Sequence, residues 1–166
     1  LVVAQPGRYV AVDVLSNELD ADDDHLTLTG TPSTDDPALG VSVRAGRVLL
    51  DLPTQEGVHS ARYTVSDGRG GTDTGTLTAQ VRTDAPLVAP VGVDDYVTLD
   101  QIDATGQVVV PVLDNDSDPD GSPWDLTLGT EDPDATVAGA GISVTVGDER
   151  RLVLYTLTDQ DGLTGH

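Results

Sequence analysis

The sequence predicts an all-β chain built as two tandem β-sandwich modules, both incomplete at the chain ends. Three observations carry that prediction. Apolar and polar residues alternate in short runs with no stretch of helical spacing; Gly, Pro and Asp break these runs at close intervals; and much of the first half returns in the second. Alternation at period two puts every second side chain on one face of a pleated strand, and turn signals every 8 to 12 residues or so indicate a sandwich. The same patterning decides against disorder, the competing class for a chain this charged.

Residues 9–15, 41–43, 48–52, 61–65 and 76–81 read as strands of the first module, each with β-branched or apolar residues at alternate positions. The repeat sets residues 12–22 over 110–120, Leu26-Thr27-Leu28 over Leu126-Thr127-Leu128, residues 40–43 over 141–144, and residues 52–57 over 157–162. Self-similarity of this length fixes the domain count. The strand pattern stops at Thr83-Asp84-Ala85-Pro86, so the modules are residues 1–85 and 86–166.

Side by side, the modules differ at their ends. The second opens with an expected strand, Tyr96-Val97-Thr98-Leu99, whose counterpart in the first is absent or reduced to Leu1-Val2-Val3. The first closes with strands at 60–66 and 72–82 that have no counterpart in the second. A competing register sets Tyr155-Thr156-Leu157-Thr158-Asp159 over Tyr63-Thr64-Val65-Ser66-Asp67, but it deletes a whole strand and its turn, so the first register is preferred. A module short of two strands exposes sheet edges and core. It is expected to be completed by chain outside this sequence, by a strand from a neighbouring molecule, or by another subunit.

Composition narrows the function. The chain has 166 residues, with 29 Asp and Glu against eight Arg and no Lys, for a formal net charge of −21; Asp outnumbers Glu by 25 to 4. Such a surface repels nucleic-acid phosphates and anionic membranes. Without Cys there is no disulfide and no thiolate chemistry, and without Lys no lysine isopeptide staple, Schiff base or phosphate-loop lysine. No apolar run approaches the roughly 20 residues that span a bilayer, so no membrane insertion is expected in this segment. A first residue of Leu points to an interior piece of a longer protein.

These marks resemble a family: the tandem cadherin-like and immunoglobulin-like (Ig-like) repeats of bacterial surface and secreted proteins, large adhesins among them. The resemblance rests on residues 112–121 (VLDNDSDPDG), residues 63–71 (YTVSDGRGG) and Val93-Asp94-Asp95 at the opening of a module. It implies Greek-key sandwiches, adjacent repeats of the same polypeptide as partners, and an extracellular or cell-surface location. The implied role is a non-catalytic spacer or stalk; a ligand-binding adhesin module, for carbohydrate or protein, is the alternative.

Calcium is the expected cofactor. It wants about 6 to 8 oxygens near 2.4 Å, and short Asp side chains at alternate positions of a tight loop can converge on one ion. Asp114, Asp116, Asp118 and Asp120 lie in such a loop. The start of an EF-hand loop is matched from Asp116, but Thr127 stands at the twelfth position, where a Glu belongs, and strands flank the loop; an EF-hand is rejected. With alternating strand directions, this loop faces the junction with the first module, where Glu56 and Asp84 join it in an arrangement like that of cadherin junctions. The opposing reading is that the loop only makes Asx turns that cap its own backbone.

Other constellations rank lower. Three scattered histidines show no ligand spacing, no Gly-x-Ser-x-Gly elbow is present, and five aromatics over two modules make a poor sugar cleft. Trp124 reads either as a core or loop-cover residue or as an exposed ligand platform.

Overall fold

The computed structural model describes residues 1–147 and 149–166. They form two compact units: Leu1–Leu87 with Pro119–Gly121, and Val88–Asp118 with Ser122–His166.

The first unit contains seven strands: β1 (Val2–Ala4), β2 (Tyr9–Val12), β3 (Thr27–Ser33), β4 (Gly40–Arg44), β5 (Arg47–Asp51), β6 (Gly57–Ser66) and β7 (Thr72–Val81). They make two sheets, ordered β1-β7-β6-β3 and β2-β5-β4. The crossovers give a Greek-key sandwich, with β1 running parallel to β7 and all other pairs antiparallel. Alternation does what the sequence requires of it: Ala61, Tyr63 and Val65 of β6 and Leu77, Ala79 and Val81 of β7 face Val10, Val48 and Leu50 of the other sheet across one buried core. The β4–β5 hairpin turns on Ala45 and Gly46, both at positive φ, which is the primed turn that matches the twist of two-residue hairpins.

The second unit contains β8 (Gln107–Val110), β9 (Thr127–Gly129), β10 (Ala135–Ala138), β11 (Gly141–Thr145), β12 (Thr156–Thr158) and β13 (Thr164–Gly165). Its sheets are ordered β10-β11-β8 and β13-β12-β9, around a smaller core of Val108, Val112, Leu113, Leu126, Ile142, Val144 and Leu157.

Three expectations are corrected here. The run at 9–15 is not one strand: β2 ends at Val12, and Val14–Asn17 forms a 3-10 turn because Asp13 Oδ1 accepts from the Leu15 amide at 3.1 Å. Buried Val14 keeps the apolar pattern through the turn, so alternation alone could not show where the strand stops.

The preferred register is overturned, and with it the reading that the second module lacks its last two strands. β12 pairs with β9 through Leu157 opposite Leu128 and Thr158 opposite Thr127, just as β6 pairs with β3 through Val65 opposite Leu28 and Ser66 opposite Thr27. The turns that follow are also alike. Asp67 Oδ1 accepts from the amides of Arg69 and Gly71, and Asp159 Oδ1 accepts from those of Asp161 and Leu163. Tyr155 therefore matches Tyr63, and β12 and β13 are the counterparts of β6 and β7. Register in a half-buried strand follows the side chain that must be inside, and Leu157 is 0% exposed.

The expected opening strand at Tyr96–Leu99 is absent. Tyr96 and Leu99 are exposed, and Leu99–Gln101 is a 3-10 turn with Thr98 and Gln101 forming a capping box. In the first unit β1 takes its partners from the far end of β7, Val2 opposite Ala79 through Ala4 opposite Val81. β13 has two residues and offers no such edge.

Candidate functional site

The acidic loop of the second unit begins where the 3-10 turn Val112–Asp114 buries Val112 and Leu113 and swings the chain off β8. That turn carries Asp116 inside, to 0% exposure. Asp116 Oδ1 accepts from the Val93 amide at 2.8 Å, and both its carboxylate oxygens accept from the Tyr155 hydroxyl, at 3.1 and 3.2 Å. A two-hydrogen-bond bridge between Val91 and Ser117 holds the preceding segment alongside. A buried carboxylate is tolerable only when such donors replace its water.

Asp95 stands next to this group. Its Oδ1 accepts from Asn115 Nδ2 at 3.1 Å, while its Oδ2 is buried and has no partner among the described residues. Burial first, and then the charge of Asp116, push the Asp95 carboxyl above its ordinary value. The Tyr155 hydroxyl is likewise pushed up, by burial first and then by the charge of Asp116 and its own bond to it. Both shifts have the sign expected when negative charge is crowded into a partly dry space.

The first unit carries the same device. Tyr63 Oη donates to Glu18 Oε1 at 2.6 Å, and Glu18 is the residue that the repeat sets over Asp116. Burial, followed by the bond to Glu18, raises the Tyr63 pKa to about 12. Gly75, directly opposite Tyr63 on β7, makes room for the ring: a Cβ there would overlap Tyr63 Cζ and Oη.

The remaining site residues are placed as follows. Asp114 is exposed at the end of its turn, and Asp118 is buried at 6% exposure. Asp120, grouped with the first unit, is 1% exposed and accepts from Arg8 Nη1 at 3.1 Å. In the first unit Glu56 accepts from both the amide and the hydroxyl of Thr83 at 2.6 Å, which holds its carboxyl below the ordinary value. Asp84 is exposed and lies 3.4 Å from Arg82 Nε. Trp124 is half-buried on the Pro123–Asp125 turn, where its amide donates to Ser122 Oγ at 3.3 Å.

Among the described residues no three His, Asp or Glu side chains stand together to hold a metal ion. Asp116 and Asp120 already turn oxygens to Tyr155 and Arg8. The structure thus brings Asp116 together with Asp95, Asn115 and Tyr155, a grouping the sequence reading did not find. The signal for it was present: matching Tyr155 to Tyr63 while keeping Asp116 over Glu18 puts the same pair in both halves.

Among the described residues, no helix is long and apolar enough to cross a membrane. Residues 1–80 match the model of the bacterial Ig domain family. Among solved structures, the N-terminal Ig1-2 module of the Drosophila receptor protein tyrosine phosphatase DLAR matches at 11% identity and a TM-score of 0.33, covering 98% of this chain and 88% of that one. The human desmocollin-1 ectodomain matches at 14% identity and a TM-score of 0.31, and there the chain covers 33% of the longer protein. Among curated proteins, no relative matches the chain. The resemblance to bacterial Ig-like repeats read from the sequence holds over residues 1–80.

Proposed function

We propose that the chain is a non-catalytic spacer from a bacterial surface or secreted protein, in which Ig-like sandwiches follow one another as the rungs of a stalk. The observation that supports this reading is what the two units share. Both repeat one strand plan, one Asp-capped turn after the sixth strand or its counterpart, and one tyrosine-to-carboxylate bond. Each shared polar contact ties one part of a fold to another. A repeat whose common parts serve its own closure fits a structural role, and the bacterial Ig match over residues 1–80 agrees with a surface-protein repeat.

Calcium belongs to this proposal as a ligand of the acidic loop. Four Asp at alternate positions from Asp114 to Asp120 supply hard oxygens in a short span. An ion there would compete with Tyr155 for Asp116 and with Arg8 for Asp120, so binding should be weak unless those contacts open. Calorimetric titration of the chain with calcium, and melting with and without a chelator, test this part; no heat and no shift in melting overturn it. The spacer role is tested by screening the chain against arrays of glycans and surface proteins. Saturable binding to any of them would favour the adhesin alternative.

A further inference from the structure

In the first unit β1 and β7 lie side by side and run in the same direction, Val2 opposite Ala79, Val3 opposite Gln80 and Ala4 opposite Val81. One is the first strand of the unit and the other the last, so a pull on Leu1 and an opposing pull on Leu87 draw them in opposite directions along their own axes. The bonds of a ladder run across its strands, so sliding loads all of them at once instead of one after another.

The contact is fastened beyond the ladder. The Arg82 amide donates to the Ala4 carbonyl at 3.1 Å, and Gln5 Nε2 donates to the Ala85 carbonyl at 3.2 Å. Val2 and Ala4 are buried in the core, so β1 cannot slide without dragging two apolar side chains through it. On its other side β7 pairs with β6 from Gly57 opposite Val81 to Ser66 opposite Thr72, and the Thr83 amide and hydroxyl both donate to Glu56. β7 is thus the anchored partner, and β1, with its shorter ladder, is the strand that a pull must move.

We propose that the β1–β7 pair is a mechanical clamp, which holds the first unit closed against tension applied through Leu1 and Leu87. The inference rests on the stalk reading, in which each unit carries load passed along the chain. Such tension meets the ladder, the Arg82–Ala4 and Gln5–Ala85 bonds and the buried Val2 and Ala4 together, and the unit opens only when all of them give way. Forced unfolding is governed by the unfolding rate, so the direction of the pull, and not equilibrium stability alone, sets the force.

The test is single-molecule pulling on the 166-residue chain. The chain has no Cys, so two introduced cysteines are unique handles. Leu1, Val58 and Leu87 are exposed, and a handle at any of them leaves the core untouched. Leu1→Cys with Leu87→Cys loads the β1–β7 pair in the sliding direction. Val58→Cys with Leu87→Cys instead opens the β6–β7 hairpin from its open end, pair by pair. The sliding geometry should unfold at the higher force. Val2→Ala, added to both, should lower the force in the sliding geometry by more than in the opening one; a general loss of stability would lower the two alike. Equal forces in the two geometries, or an equal drop on Val2→Ala, would overturn the clamp. Either result would leave the spacer reading standing, since that reading is decided by the screen for glycan and protein binding.

Discussion

The Tyr63 hydroxyl donates to Glu18 at 2.6 Å, tying the middle of β6 to the loop that leaves β2. Tyr155 and Asp116 repeat the relationship in the second unit. In each unit a tyrosine hydroxyl bound to a carboxylate thus holds the loop that leaves β2 or its counterpart β8.

Tyr63→Phe should lower the stability of the first unit by about 1.5 to 3 kcal/mol, the range for a lost hydrogen bond to a charged group. Denaturant unfolding measures this. The pH dependence follows from the raised pKa of about 12 against an ordinary value of 10.0. The folded state favours the neutral phenol, so the contribution is complete below pH 10 and is lost as pH rises through about 12. An unfolding free energy that stays flat over that interval contradicts the assignment.

Gly75→Ala should disturb the same bond from the opposite strand. Its methyl group would meet the Tyr63 ring, so the ring must move away from Glu18. The expected result is a loss of stability together with a Tyr63 pKa shifted back toward 10, read from phenolate absorbance during alkaline titration. An unchanged titration would mean that the ring has room that the structure does not show.

In the first unit His59 Nδ1 lies 2.5 Å from Asp36 Oδ2, and the Ala38 amide donates to Asp36 Oδ1. The bond to His59 is the larger cause that holds the Asp36 carboxyl below its ordinary 3.8. A depressed carboxyl pKa stabilises the fold above that ordinary value, and the effect is lost as pH falls through the lowered one. His59→Gln should raise the Asp36 pKa in a carbon-detected carboxyl titration, with the Ala38 bond keeping part of the depression.

Arg151 closes the loop before β10 by binding both Asp132 and Asp134. All three groups lie at the surface or are partly exposed, so Arg151→Ala should change the stability little. It should also return the Asp132 carboxyl toward its ordinary value, because the bond to Arg151 is the main cause of its depression. A loss well beyond this in denaturant unfolding would show that Arg151 does more than pin a surface loop.

Leu50 of β5 is 1% exposed, packed between the two sheets of the first unit. Leu50→Ala should cost about 2 to 5 kcal/mol, the usual loss for a buried leucine truncated in a core that cannot fully collapse. Calorimetry should show a lower melting temperature for the first unit. A smaller loss would show that the β-sheets close around the cavity.

The sequence by itself determined the fold class, the presence of two copies and most strands of the first unit. Alternation at Ala61, Tyr63 and Val65, and at Leu77, Ala79 and Val81, is a local property of a strand with one buried face, so it is legible residue by residue. Only the tertiary structure decided register and partnership. Two alignments of residues 155–162 were open to the pattern, which favoured the one that deletes no strand; the other was decided by Leu157 facing Leu128 across a sheet and by the turn capped by Asp159. Tyr96–Leu99 has strand composition and forms no strand, because a strand exists only where a neighbouring edge accepts its hydrogen bonds. The acidic loop differs for the same reason. Its spacing announced clustered carboxylates, but whether each oxygen met an ion, an arginine or a tyrosine depended on groups far away in sequence: Arg8 for Asp120, Tyr155 for Asp116.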